Sequence, residues 1–324
     1  MERVLPDAAS TRSESDPMGG ISLIPGKRRK NEVFIMPEKI ATLSFTPALS
    51  KRLIGQGLAA VPEVQQAYQH GRILLSSGST TAHVYVALTG AWSGEALACG
   101  MIAGKGTCVG RAMSAFLGAK GHARFWFFEK GHRIETDDLE GALESLDSGD
   151  LFIKGANALD GSGGIGVLLG MESGGIIGKA LGYVQARGVT FLLPGGLEKM
   201  VYGSIAETAQ HMGTRLVDYT SGMPVGLLPV AGRRFCEIEA LETLAGVKVF
   251  HAASGGTVGG EGSVLLTIRG TAESVDKVIT LYKELRADKR FDALKVEHSL
   301  CAEHKWPPCA KHNIMYAENV RQNT

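Results

Sequence analysis

Two short, wholly apolar runs, Leu151-Phe152-Ile153 and Phe191-Leu192-Leu193, stand on either side of a segment, Gly174 to Arg187, that reads as a helix. A strand with no polar position has no face to offer water, so it belongs inside a sheet covered on both sides. Gly188 follows the helix as its C-cap, and Pro194-Gly195-Gly196 ends the second strand. The earlier run Arg72-Ile73-Leu74-Leu75 leads in the same way through Ser76-Ser77-Gly78-Ser79-Thr80-Thr81 into a helix from Ala82 to Leu88. Strands and helices alternating in this order predict an α/β fold with a Rossmann-like parallel sheet covered by helices.

The last third has a different texture. A helix over Phe235–Ala245, a strand over Val247–His251, a glycine-rich loop and a strand over Ser263–Arg269 precede a helix opened by Thr271, whose Val275, Val278 and Ile279 share one face. This order predicts a smaller α+β, plait-like unit. The organisation expected is a flexible leader over 1–32, with the basic run Lys27–Lys30, and a ligand-binding α/β domain over 33–232. The plait-like unit over 233–290 and a Cys/His-rich tail over 291–324 complete it. Within the α/β domain, a strand is expected at Val33–Met36, one helix from Lys51 to His70, strands near Ala98–Ile102 and His122–Phe128, and a helix over Asp137–Leu146.

Charge excludes some partners. Lys and Arg total 34 against 33 Asp and Glu, a formal charge of +1, so no overall field draws the chain to nucleic acid or to an anionic membrane. No apolar stretch approaches the roughly 20 residues of a membrane span. Five cysteines, an odd number in a long chain, read as reduced thiols in a cytoplasmic protein. Of the 43 glycines, 15 fall between 149 and 203, so they gather at the turns where a parallel sheet approaches a ligand.

Three segments carry candidate chemistry. The turn Ser76, Ser77, Gly78, Ser79, Thr80, Thr81 ends a strand and opens a helix, so its amides and hydroxyls suit a phosphate or carboxylate; an ordinary capped turn is the alternative. Lys154, Gly155, Asn157 and Gly164 in the next turn, and Glu198 with Lys199 after Pro194-Gly195-Gly196, lie beyond strand ends, where open α/β sheets bind ligands. In the tail, Cys301, His304, Cys309 and His312 form two ligand pairs around Lys305-Trp306-Pro307-Pro308, a spacing that could hold a structural Zn²⁺.

The strand and turn Ile153-Lys154-Gly155-Ala156-Asn157-Ala158-Leu159-Asp160, with the Ser77-Gly78-Ser79-Thr80-Thr81 turn, resembles the superfold shared by ribose-5-phosphate isomerases, methylthioribose-1-phosphate isomerases and CoA-transferase-like proteins. That resemblance implies a phosphate-binding turn and isomerase-, lyase- or transferase-type proton abstraction next to a carbonyl. Asn157 stands where the superfold carries an acid, which leaves Asp160 or Glu172 for the base and Lys154 or Lys179, the latter a rough stand-in, for the cation. Two readings stay open. One is a protein that binds a small anionic metabolite and turns it over; the other is a non-catalytic effector-binding or homo-oligomeric assembly protein with a metal-bearing tail.

Overall fold

The computed structural model describes residues 38–97, 100–104, 106–109, 122–290 and 307–314. The leader, the strand expected at Val33–Met36 and the tail residues Cys301 and His304 lie outside the described residues.

Strand β1 (Glu38–Phe45) precedes two helices, α1 (Pro47–Ala59) and α2 (Pro62–His70), where the sequence periodicity suggests one. Pro62 makes the break, because it has no N–H for a continuing helix and holds Val61 extended at φ −64° and ψ 127°. β2 (Arg72–Ser76) then runs through Ser77 and Gly78 into α3 (Ser79–Thr89). Short strands β3 (Ala96–Leu97), β4 (Gly100–Ala103), β5 (Gly106–Val109) and β6 (His122–Ala123) lead to a hairpin of β7 (Phe125–Glu129) and β8 (His132–Ile134). α4 (Leu139–Ser145) begins where the Gly141 N–H donates to Asp138 at 3.0 Å.

β9 (Leu151–Ile153), β10 (Ala158–Leu159), β11 (Ile165–Leu169), α5 (Gly175–Arg187) and β12 (Thr190–Pro194) follow. Gly188 stops α5 at φ 67°, a left-handed position that glycine takes without a Cβ clash. After a 3-10 turn at Leu197–Lys199 come α6 (Ile205–Gln210), β13 (Gly226–Pro229), β14 (Arg233–Phe235) and α7 (Glu237–Ala245). β15 (Lys248–Gly255), β16 (Ser263–Thr271), α8 (Ala272–Ala287) and α9 (Pro307–His312) complete the described elements.

The main sheet has six strands in the order β14-β12-β9-β2-β7-β8. The first four run parallel, but β7 pairs antiparallel with β2 and β8 antiparallel with β7. The sheet is therefore mixed, which corrects the wholly parallel sheet expected. β7 enters alongside β2 in the reverse direction, and Lys130 and Gly131, with φ 48° and 80°, then turn the chain back on itself to add β8 as a hairpin partner. Residue alternation along the strands feeds two cores. Ile73, Leu75, Leu151 and Ile153 face α1, α3 and α7, while Leu74, Phe152, Phe191 and Leu193 face α4 and α5, so both faces are covered as the apolar runs require.

A second, antiparallel sheet has the order β1-β16-β15, and α8 packs Val275, Val278 and Leu285 into the first core. Its first strand comes from the other end of the described chain, 218 or more positions before β16 begins. Residue alternation leaves Ile40, Phe250 and Leu265 exposed on the face away from that core. A third sheet, β10-β11-β13, places Ile165 and Val167 in the second core. Among the described residues, no helix is long and apolar enough to cross a membrane.

Helix α1 is wedged between α3 and α7. A Cβ on Gly55 would sit 2.6 Å from the His83 carbonyl carbon, and one on Gly57 would sit 2.6 Å from Ala240 Cβ. Gly55→Ala is therefore expected to destabilise the fold by about 1–3 kcal/mol through forced separation of α1 from α3. Thermal denaturation checks it, and an unchanged melting temperature would show that the helices are not in contact there.

Candidate functional site

The parallel strands β2, β9, β12 and β14 all deliver their carboxyl ends to the same edge of the sheet. Backbone and side-chain hydrogen bonds join three of the connections there. The Ala156 N–H donates to the Pro194 carbonyl at 2.9 Å, the Gly195 N–H to the Phe235 carbonyl at 3.0 Å, and Lys199 Nζ to the Ala156 carbonyl at 2.7 Å. Helices α3 and α7 leave this edge directly after β2 and β14. α1 runs the same way, since Ser50 near its start lies by Glu237 while Gly57 further on meets Ala240. Three helix N-termini therefore converge on one end of the sheet, which makes that end favourable for negative charge.

Buried polar atoms without hydrogen-bond partners concentrate at this edge. Ser77 Oγ and Thr80 Oγ1 belong to the β2–α3 turn, Glu198 Oε2 to the 3-10 turn, Ser50 Oγ to the first turns of α1 and Glu237 Oε1 to the start of α7. In the β2–α3 turn, Thr81 is already occupied, donating to the Ser76 carbonyl at 2.6 Å. Gly78 offers no side chain to cap α3, so the first-turn amides have no intrahelical acceptor. One turn into α3, His83 Nδ1 lies 2.7 Å from the Ser79 carbonyl, and burial pushes the ring's pKa down to about 4, so it is neutral near pH 7.

Glu237 is fully buried. Its Oε2 accepts the Leu197 N–H at 2.9 Å, which fixes the carboxyl next to Glu198. Burial pushes its pKa up to about 7; the nearby Ser50 hydroxyl opposes this and the Glu198 charge adds to it, although neither Ser50 Oγ nor Glu237 Oε1 completes a well-formed hydrogen bond. Burial also pushes the thiol of the neighbouring Cys236 up, so it is an inert, protonated group.

Not every residue singled out in the sequence belongs to this edge as a reactive group. Asp160 is committed to holding a turn. Its Oδ1 accepts from Ser162 Oγ at 2.7 Å, the Ser162 N–H at 2.9 Å and the Gly164 N–H at 2.7 Å, and its Oδ2 accepts from the Ile205 N–H at 3.0 Å. The Ser162 hydroxyl and these amides hold its pKa down at about 2, which makes it a poor proton acceptor. Gly164 serves the same turn, because a Cβ there would lie 2.2 Å from Asp160 Oδ2.

Glu172 is exposed and pairs with Arg215 through two hydrogen bonds of 2.7 and 2.8 Å, which lower its pKa. Lys179 is on the exposed side of α5. Asn157 accepts the Leu168 N–H at 3.0 Å and so holds the β10–β11 hairpin together. Lys154 and Gly155 keep their place beyond β9, with the Lys154 N–H on the Leu192 carbonyl at 3.0 Å. Asp160 and Glu172, the alternative bases, are thus each held in pairings of their own.

Half of the tail's expected zinc set is described. Cys309 is buried against Val109 and Met223, and His312 Nδ1 lies 3.3 Å from the Asp218 carbonyl. Among the described residues, no three His, Cys, Asp or Glu side chains gather in a way that could hold a metal ion. Ser50 and Glu237 are not among the candidates offered by the sequence. Glu237 had one signal: like the Ser77 turn and Glu198, it stands between the end of a strand and the start of a helix.

No family model, curated protein or solved structure matches this chain.

Proposed function

We propose that this chain binds a small anionic metabolite, phosphorylated or carboxylate, at the N-terminus of α3. The observation that carries this reading is the pair of buried, unpartnered hydroxyls, Ser77 Oγ and Thr80 Oγ1, beside an uncapped helix N-terminus. A buried hydroxyl left without a partner costs about 1–3 kcal/mol, and an anion's oxygens would accept from both hydroxyls and from the first-turn amides. The four parallel strands with their ligand-facing connections support a Rossmann-like description of this half of the sheet, and the β1-β16-β15 sheet with α8 supports a plait-like one for the smaller unit.

Asp160 and Glu172 are both held in structural pairings, so the effector-binding reading is preferred over proton abstraction by either acid. Self-association belongs to the same proposal, supported by the exposed Ile40, Phe250 and Leu265, and light scattering tests it.

A thermal-shift titration tests the binding. Inorganic phosphate, phosphorylated sugars and small carboxylates are expected to raise the melting temperature of the wild-type chain, because a ligand bound to the native state stabilises it. The Ser77→Ala, Thr80→Val double variant is expected to lose the rise. A rise of the same size in the double variant would remove the turn from the reading.

A further inference from the structure

The edge of the sheet is polar in two unlike ways. At the β2–α3 turn the unpartnered side-chain groups are hydroxyls beside helix amides, which suit an acceptor. Beyond β12 and β14 they are the carboxyl oxygens Glu198 Oε2 and Glu237 Oε1, which suit a donor or a cation. The Glu237 side chain cannot swing out to water, since it is fully buried and its other oxygen is held by the Leu197 N–H. The charged group acting on it is Glu198, of like sign; α1 contributes the Ser50 hydroxyl, and Cys236 lies beside it on its own helix. A buried carboxyl beside a like charge either retains a proton or gains strongly from a positive partner.

We propose that this edge takes a ligand with an anionic group at one end and an ammonium at the other, the anion on the Ser77–Thr80 turn and the ammonium on Glu198 and Glu237. The proposal rests on the anion-binding reading above. β9 lies between β2 and β12, so the Glu198 end of the site is two strand places from the Ser77–Thr80 turn, with Glu237 one place further out beyond β14; the Glu198 separation is about 10 Å at the usual strand spacing. An extended chain advances roughly 1.2 Å per bond, so about eight bonds span that distance. The ligand class is therefore an aminoalkyl phosphate or an amino acid of similar reach.

Titration calorimetry with 5-aminopentyl phosphate, 5-hydroxypentyl phosphate and inorganic phosphate tests it. At pH 8 the amine is expected to bind about tenfold more tightly than the alcohol of equal length, the size of one charge-assisted hydrogen bond. That preference is expected to fall as the pH drops from 8 to 6 and Glu237 takes up its proton. Glu237→Gln and Glu198→Gln, made separately so that one folding failure does not remove the test, are each expected to reduce the ratio of amine to alcohol affinity, while inorganic phosphate still binds. Phosphate binding without an amine preference, or a preference that both variants retain, overturns this proposal alone. No phosphate binding to the wild-type chain overturns the anion reading and this proposal with it.

Discussion

Asp160→Ala is expected to destabilise the fold by about 3–5 kcal/mol, the largest effect of any single substitution considered for this chain. The carboxylate is buried and accepts four hydrogen bonds, three from backbone amides. Removing it leaves the Ser162, Gly164 and Ile205 N–H groups without their acceptor, and it releases both the β10–β11 turn and the start of α6. Asp160→Asn keeps one acceptor oxygen and is expected to lose about half as much. The pH dependence has a definite sign. The folded pKa, about 2, lies below the ordinary value of 3.8, so this stability is present above about pH 4 and is lost as the pH falls through 2. Urea denaturation of the two variants checks the prediction; a loss under 1 kcal/mol for alanine would show that the turn does not depend on the carboxylate.

Glu237→Gln is expected to act in the opposite direction. The Glu237 carboxyl has a pKa of about 7 when folded against an ordinary value of 4.5, so the folded chain holds this proton more tightly than the unfolded chain does. Its contribution is fully present below about pH 4.5 and is lost as the pH rises through 7, where the charged form must be accommodated in the interior. A shift of this size corresponds to about 3 kcal/mol at pH 8 and above. Glutamine has no charge to bury and can still accept the Leu197 N–H. The variant should therefore be more stable than the wild-type chain at pH 8, by about 3 kcal/mol, and nearly equal to it at pH 5. Equal stability at both pH values would mean that Glu237 is not held in a low-dielectric setting.

The parts of the fold legible in the sequence are those whose side chains leave no choice of environment. β2, β9 and β12 are apolar on both faces, and α5 ends on a glycine, so their order and covering helices follow. β1 is different. Thr42 and Ser44 alternate with apolar residues but Lys39 and Ile40 break the pattern, and its partner β16 lies more than two hundred residues away, so no local pattern reveals the pairing. The β10–β11 hairpin was hidden by its own turn: Asp160 to Gly164 has the composition of a ligand loop but is closed internally by the Asp160 carboxylate.

The glycines show the same limit. Gly164 leaves room for Asp160, Gly166 for Leu227 and Gly196 for Glu198, so part of the enrichment between 149 and 203 serves close internal packing, not ligand approach. Within the candidate site, the β2–α3 turn was legible because five hydroxyls around one glycine exceed the needs of a cap. Glu237 was not, because its chemistry comes from burial and from Glu198, and neither is a property of its neighbours in sequence.

An anion on the β2–α3 turn would leave a direct mark on that turn's amides. An amide NMR titration of the full chain with inorganic phosphate tests it most directly. The N–H signals of Ser79, Thr80 and Thr81 should move together and saturate, and the Ser77→Ala, Thr80→Val variant should show no saturable movement. Signals that stay fixed in this turn, or that move only elsewhere in the chain, would contradict the account.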